Sequence, residues 1–504
     1  MTLWLVFLRS LGSAIEPIYI MAAPSYLSGI VWSGVNACSA VLMPMAVFVF
    51  FARTASPEMI GAVALAASCI EILKTVAMPG LYEAVLQQMD DQVRCHETAS
   101  FILLTSASGL VLIYLAGLMM LSFFIASVTA HYIAFAFLGL RVLFDLAALQ
   151  PQARLAQRLA FRRLAIRTMI SVSAGGAIGV AVALLVDPFI GLIVYQIVQS
   201  LVFLLTTVIG TGAAAQPRLH RDCFRRMRQE ATLATCVRLL AASVNNLDQI
   251  IVAGLIGSAP LAFYNLGKRI EMTFVTAAGS FSAILFQPLF AHGRPEQRGK
   301  DLSSGIAMLT IVLGLPAAAF VPNSSFLVTT VFGQQWKGAS AVAAVMAVAG
   351  FIRAVGYVPG ALMSVSIRNR ELLVISLISV LTGAGLVVLT APFGILWCAV
   401  ALLIRHLGSL GWMAATLRTE ATRPASTYFT SLAAPFLLMM AGSLVGRWII
   451  GDAATGHGVV QQCLMVAGSA AAGAAVGVSY FAIYFKERLG GYYLILRGRL
   501  AAPA

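Results

Sequence analysis

Charged side chains are scarce in this sequence. They make up 10% of its 504 residues, where a soluble domain carries about 25%. That scarcity excludes a soluble domain of any size. Acidic residues are scarcer still, 19 against 33 Lys and Arg, for a formal charge of +14. The basic residues sit in short gaps between apolar runs, where they orient a chain in a membrane and meet anionic headgroups, so no nucleic-acid partner is expected. Cysteine is sparse, odd in number at seven and never spaced as CxxC. This excludes a disulfide framework and a zinc-ligand set. Cys38, Cys69, Cys236, Cys398 and Cys463 fall in apolar runs, where Cys acts as a small hydrophobe. Cys95 and Cys223 are placed in cytoplasmic loops.

Nucleotide and catalytic motifs are missing too. The nearest approach to GxxxxGK is Gly299-Lys300-Asp301, which lacks the Ser or Thr and the correctly spaced first Gly, so ATP hydrolysis within the chain is not expected. There is no GxSxG, HExxH or GxGxxG. Predicted outside loops stay within about twenty residues, too short for the aqueous catalytic loops of a glycosyltransferase or polymerase. No enzyme activity, metal or cofactor is expected.

The chain has apolar runs instead. They are about twenty residues long, enough for a helix to span a bilayer while satisfying its own backbone. Fourteen spans are predicted, roughly 28–51, 60–79, 100–125, 131–150, 165–186, 190–210, 233–257, 261–289, 303–321, 340–366, 371–391, 394–416, 428–450 and 459–485. Pro288, Pro316 and Pro322 interrupt the pattern between 261 and 332. With the N-terminus inside, about 23 basic residues fall in inside segments, and only Arg53, Lys337 and Arg447 fall outside. That asymmetry fixes both span count and orientation, with both termini cytoplasmic. Residues 1–26 form a lead-in, too short in apolar length to span, and read as interfacial rather than as a signal peptide.

The fold class is therefore all-α: a polytopic membrane protein of about 14 transmembrane helices. Residues 27–210 form a first six-helix bundle, 211–232 a basic cytoplasmic linker and 233–416 a second six-helix bundle. Two additional helices occupy 417–485, and 486–504 is a basic cytoplasmic tail. The halves echo each other faintly, in Ile170-Ser-Val-Ser-Ala-Gly-Gly176 and Ile378-Ser-Val-Leu-Thr-Gly-Ala384, and in Pro188-Phe189 and Pro392-Phe393. A parallel duplication and chance apolar similarity both account for this.

Seven basic residues lie within spans: Lys74, Arg141, Arg238, Lys268, Arg269, Arg353 and Arg405. Four acids join them: Glu71, Asp145, Asp248 and Glu271. Each costs about 2.5–3.5 kcal/mol at the bilayer centre by insertion scales, so they should face the bundle interior or a wet cavity. Glu71 with Lys74, Arg141 with Asp145, and Lys268 with Glu271 are spaced to pair on one helix face. Such pairs can brace helices or line a site. Arg238, Arg353 and Arg405 have no opposite charge within one turn and need a partner on another helix, or a ligand. His406 reads as a satisfied core residue rather than a proton relay. Seven minus four leaves +3, which suits a phosphate or pyrophosphate group bound by the Arg fork. Polar stripes mark three spans: Arg238, Asn245 and Gln249, flanked by Asn246 and Asp248; Tyr264, Lys268 and Glu271; and Arg353, Tyr357 and Ser364, with Pro359 and Gly360 as a kink or hinge. Such stripes line a wet route or glue helices together.

Several segments resemble the polysaccharide (oligosaccharide) flippase family. Arg53-Thr-Ala-Ser-Pro57-Glu58-Met-Ile-Gly61 resembles its R-x-L-x-P-E-x-x-G turn, and Gly80-Leu81 through Ala84 to Gln87 its end of helix two. Leu159-Ala-Phe-Arg162-Arg163-Leu-Ala-Ile-Arg167-Thr168 resembles its basic turn before helix five. Asn246-Leu-Asp248-Gln-Ile-Ile-Val-Ala-Gly254, with Gly257, Tyr264 and Arg269, resembles its helix seven to eight segment. Phe332-Gly333-Gln-Gln-Trp336 resembles its F-G-x-x-W outside turn. The ordered set runs from about residue 27 to 340 and fades after about 370; the N-terminal 26 residues match nothing.

The resemblance implies two bundles around a central cavity that opens alternately to each side. It implies a lipid-linked oligosaccharide as passenger, moved from the cytoplasmic to the outer leaflet of a bacterial inner membrane. Arg141, Arg238, Asn245, Lys268, Arg269 and Arg353 are the candidate head-group contacts. Asp145, Asp248 and Glu271 are candidates for balancing charge or coupling an ion, proton or sodium. A polysaccharide polymerase and glycosyltransferases are the expected protein partners. An ion-coupled exporter of drug-like cations is the alternative, although such a cavity should be acidic and aromatic. A membrane enzyme acting on lipid-linked sugars is a second.

Overall fold

The computed structural model describes residues 23–76, 92–123, 131–158, 160–211, 217–282, 286–292, 298–366, 368–417, 425–453 and 459–500. The lead-in before residue 23 and the Gly80 to Gln87 segment lie outside them. The apolar runs become helices, joined by short turns. In the first half these are α1 (Ala23–Thr54), α2 (Pro57–Val76), α3 (Gln92–Ser122), α4 (Tyr132–Leu138), α5 (Leu140–Gln157), α6 (Phe161–Leu185) and α7 (Pro188–Thr211). In the second half they are α8 (Arg221–Leu255), α9 (Ser258–Phe281), the short α10 (Gln287–His292), α11 (Arg298–Phe332), α12 (Ser340–Val355), α13 (Tyr357–Val365), α14 (Asn369–Thr390) and α15 (Ile395–Thr416). α16 (Ala425–Ala453) and α17 (Val459–Leu500) follow.

Among the described residues, twelve segments are long and apolar enough to cross a membrane, and the chain is a multi-pass all-α membrane protein. The two predicted spans missing from that set are 233–257 and 261–289, which form α8 and α9. They match their neighbours in length and pack among them. Their low apolarity comes from the polar stripes and the Lys268, Arg269, Glu271 group. Large apolar side chains such as Leu112, Leu185, Leu389 and Trp448 stand exposed on other helices, as lipid-facing surfaces permit.

Several elements differ from the sequence reading: α8 begins at Arg221 inside the predicted linker, α17 runs on to Leu500 through the predicted tail, and the span read as 261–289 comes as α9 and α10. Pro316 and Pro322 lie inside α11, so the run read as 303–321 is one 35-residue helix. Proline is tolerated there because neighbouring helices can satisfy the freed carbonyls. The tenth span breaks at Gly356, between α12 and α13, and not at Pro359-Gly360. Pro359 occupies the first turn of α13, where its missing N–H forfeits no helical bond. Cys95 and Cys223 lie in α3 and α8, not in loops; both are buried, with their sulfurs 3.3 Å apart. The approach to α8 is docked on α3: the Arg218 and His220 backbone amides donate to the Glu97 carbonyl and the Thr98 hydroxyl at 3.4 and 3.1 Å.

Packing sorts the helices into two bundles. In bundle one, α7 packs along α6 and α5, α6 along α1, and α5 along α3. In bundle two, α12 packs along α9, α11 and α15, and α14 along α8 and α15. α16 and α17 pack on each other and on α11. The seam between the bundles is α2, which lies against α8 and α9.

Tight turns gather at one end of the bundles, the arginine-poor end. Gly257, Gly333 and Gly394 hold three of them with φ of 115°, 107° and 99°, a region that L side chains rarely adopt. The bundles are latched together there. The Arg53 guanidinium donates to the Val331 carbonyl at 2.8 Å and also to that of Thr330. The Trp336 indole donates to the Ala52 carbonyl at 2.7 Å, and the Gln335 amide reaches the carbonyls of Ala52 and Ala55. Two of the motifs singled out in sequence, the Arg53 to Gly61 turn and the Phe332 to Trp336 turn, thus grip one another. Gly61 completes the contact: a Cβ there would lie 1.8 Å from the Ser258 carbonyl oxygen. Gly61→Val should therefore force α2 and α9 apart and cost about 1–3 kcal/mol, read as a lower Tm in detergent. An unchanged Tm would refute the tight seam.

Candidate functional site

Ion pairs among the charges predicted within spans fall into two clusters, one per bundle. In bundle one, Lys74 on α2 sits between two carboxylates, its Nζ 2.8 Å from Glu71 Oε1 and 2.7 Å from Asp145 Oδ2. Arg141 on α5 closes the ring, with Nη2 2.6 Å from Glu71 Oε1 and Nε 3.3 Å from Asp145 Oδ2. Its Nη1 donates to Gln196 Oε1 on α7 at 2.8 Å. Two cations and two anions leave this cluster neutral. It is not sealed: the Glu71 side chain keeps 38% of its exposure and Arg141 20%.

The bundle-two cluster lies deeper. Lys268 on α9 is within ion-pair range of Asp248 on α8, at 2.9 Å, and of Glu271, at 3.1 Å. Glu271 is fully buried and also faces Arg353 of α12 at 2.8 Å and His406 of α15 at 3.2 Å. Arg353 reaches back to Asn245 Oδ1 at 2.7 Å. The Tyr264 hydroxyl donates to Asp248 at 2.8 Å. Arg405 packs beside His406, 3.3 Å away, with its Nη1 at the long limit of 3.5 Å from the Val244 carbonyl. Gly350 lets α12 approach: a Cβ there would lie 2.7 Å from Glu271 Cα. Lys268, Arg353 and Arg405 against Asp248 and Glu271 leave one positive charge.

Arg269 stands between the clusters. It is half-buried, and among the described residues no carboxylate lies within ion-pair range of it. Its Nε donates to Asn265 Oδ1 at 3.1 Å, and Asn265 donates to Gln249 at 2.7 Å. Its guanidinium lies over the Phe48 ring, 4.2 Å from the centre. Arg141, from the other bundle, is near enough to repel it, and Tyr195 on α7 lies within electrostatic reach of both. Arg269 and Arg141 thus stand within electrostatic reach of one another, one from each bundle.

Most of the sequence-predicted site residues converge. Arg141 and Asp145 meet in one cluster; Asn245, Asp248, Lys268, Glu271 and Arg353 meet in the other; Arg269 lies between. Each charge pair predicted along one helix also reaches a second helix. Lys74, Arg141 and Lys268 meet the carboxylates their spacing predicted, and Arg353, without an opposite charge on its own helix, meets Glu271 on another. Six described cations less four acids leave +2. Arg238, the seventh, has its backbone in α8, but its side chain lies outside the described residues. Ser364, read as one stripe with Arg353, is separated from it by the break at Gly356. Sequence reasoning missed Gln196, Asn265 and Tyr195 as partners. The polar group Tyr195, Gln196, Gln199 and Ser200 in the apolar run of α7 was the available signal for Gln196. Among the described residues, no three His, Cys, Asp or Glu side chains are placed to hold a metal ion.

This architecture has solved counterparts. The lipid II flippase MurJ, in an inward closed conformation, shares 11% identity over 91% of this chain and 100% of its own, with a TM-score of 0.71. An inward-facing multidrug resistance transporter of the MATE family, from the MOP superfamily, shares 13% over 78% and 99%, at 0.55. The eukaryotic MATE transporter AtDTX14 shares 12% over 81% and 98%, at 0.54. The fold is thus the one common to these flippases and extruders. A family model described as "Polysaccharide biosynthesis protein" matches residues 50–341, more than half of the chain, and the chain belongs to that family. No curated protein matches it by sequence.

Glu271 is the single acceptor on which three helices converge. Glu271→Gln should cost about 3–5 kcal/mol, because it strands Arg353 without its counter-charge and leaves Lys268 with Asp248 alone. Adding Arg353→Met should recover part of the loss. Thermal unfolding in detergent reads both; equal Tm values for parent and Glu271→Gln would show that the cluster holds nothing.

Proposed function

We propose that this chain is a flippase for an undecaprenyl-pyrophosphate-linked oligosaccharide, serving export of a surface polysaccharide: exopolysaccharide, capsule or O-antigen. The arginine-rich end faces the cytoplasm of a bacterial inner membrane, and the latched end faces outside. Family membership supports the pathway, and the charge asymmetry supports the orientation. The observation that carries the substrate reading is Arg269, a cation with no carboxylate in ion-pair range among the described residues and with Arg141 of the other bundle within electrostatic reach. Two arginines that repel are stabilised by an anion placed between them. A pyrophosphate offers several oxygens to two guanidinium forks.

Arg141 and Arg269 are the first contacts in this reading. Lys268, Arg353 and Asn245 form a braced second set, and Arg238 is a further candidate. Asp145, Asp248 and Glu271 hold the cations in place or couple an ion. The sugars enter the space between the bundles while the polyprenyl tail stays in lipid. The passenger can shift the balance of inward and outward states only by binding them unequally. A coupled proton or sodium ion would supply direction. Polymerase and glycosyltransferases supply and consume the passenger, and the chain itself makes no covalent bond. Multidrug export on the same fold would need a cavity that attracts cations, and the +2 surplus opposes that.

Arg141→Ala and Arg269→Ala should each lower surface-polysaccharide export by about tenfold or more, the loss of a charged hydrogen bond, with membrane levels of the protein unchanged. Parent-level export from both would remove this pair from the site.

A further inference from the structure

Arg269 is tied to the latch at the arginine-poor end through one aromatic ring. Phe48 carries the Arg269 guanidinium on its face. The same ring makes an edge contact with Trp336, centroids 5.8 Å apart, and a tilted contact with Phe332 at 5.9 Å. Phe48 and Trp336 are both buried. Trp336 in turn holds the Ala52 carbonyl, one helical turn beyond Phe48. The path Arg269, Phe48, Trp336, Ala52 alternates between bundle two and bundle one at every step. It spans the gap in depth as well: Arg269 lies eleven residues into α9, about 16 Å below Ser258, and Phe48 lies about 9 Å below the end of α1.

Arg141 of the other bundle lies within electrostatic reach of this stacked arginine. An anion between the two arginines reverses their repulsion. Repulsion becomes bridging, and a charged hydrogen bond outcompetes an aromatic face for the guanidinium. Arg269 then leaves Phe48, and the ring loses the group that presses it onto Trp336. We infer that Phe48 is the positioning residue through which an anion at Arg269 loosens the Trp336–Ala52 latch, so that the outer seam opens for a loaded carrier and stays shut for an empty one. This rests on the reading of Arg269 as a head-group contact.

Ala55 reports on the latch. It lies in the turn after α1, is 2% exposed, and its carbonyl accepts from Gln335 at 3.4 Å. In proteoliposomes, an Ala55→Cys chain is treated with a membrane-impermeant maleimide on the latched side, with and without undecaprenyl pyrophosphate, and the labelling of the parent cysteines is subtracted. The Ala55→Cys chain should label slowly, and faster with the lipid. Adding Phe48→Leu should raise the lipid-free rate on the order of tenfold, the scale of a desolvated cation–π contact, and abolish the response to lipid. Phe48→Tyr, which keeps the ring face, should restore both behaviours. Trp336→Phe, which removes only the indole donor, should raise the lipid-free rate yet keep the response. A Phe48→Leu chain with the original lipid-free rate overturns the inference whatever the lipid does, as does a slow Trp336→Phe. If the lipid-free rate rises as stated but the lipid accelerates nothing even with Phe48 intact, the failure belongs to the reading of Arg269.

Discussion

An ionised side chain below the headgroups is stable only if something replaces its lost hydration, and that constraint organises this protein. Of the eleven charges that the sequence places within spans, ten are described, and nine of those lie in two clusters where cations meet carboxylates or a histidine. Each cluster ties together helices distant in sequence: α2 with α5, and α8 with α9, α12 and α15. Pairing of this kind is a requirement as much as a source of stability, because removing either partner strands the other in a dry interior. The bundles are therefore built around their charges, and α9 alone carries three of them, Lys268, Arg269 and Glu271.

Arg269 is the exception to that pairing, and its position gives the exception meaning. It rests on an aromatic ring and an asparagine, on the α9 that meets α2 of the other bundle at the seam. A cation–π contact supplies less than a carboxylate does, so this charge is the one most readily recruited by an incoming anion. The seam itself closes at one end through backbone carbonyls gripped by Arg53, Gln335 and Trp336. Carbonyl acceptors at helix ends are released without stranding a buried charge, which suits a contact that must open and close.

Much of this was legible in the sequence. Run length predicted fourteen spans; among the described residues twelve are long and apolar enough to cross a membrane, and the other two form α8 and α9. Helical spacing gave the pairs Glu71–Lys74, Arg141–Asp145 and Lys268–Glu271. Spacing could not give the partners across helices, because those depend on which faces meet; Arg353 with Glu271, and Lys74 with Asp145, emerge only in three dimensions. The hinge was misplaced for a local reason: Pro359-Gly360 looks like a breaker, yet a proline in the first turn of a helix starts it rather than stops it. The two resembling turn motifs carried no hint that they bind each other, since 275 residues separate Gly61 from Trp336.

The charge of the preferred ligand tests the account most directly. Purified protein should be stabilised against thermal unfolding by undecaprenyl pyrophosphate, less by undecaprenyl monophosphate, and not by lipophilic cations. The order follows from an anion bridging Arg141 and Arg269. Stabilisation by a cation, with none from the pyrophosphate lipid, would contradict it.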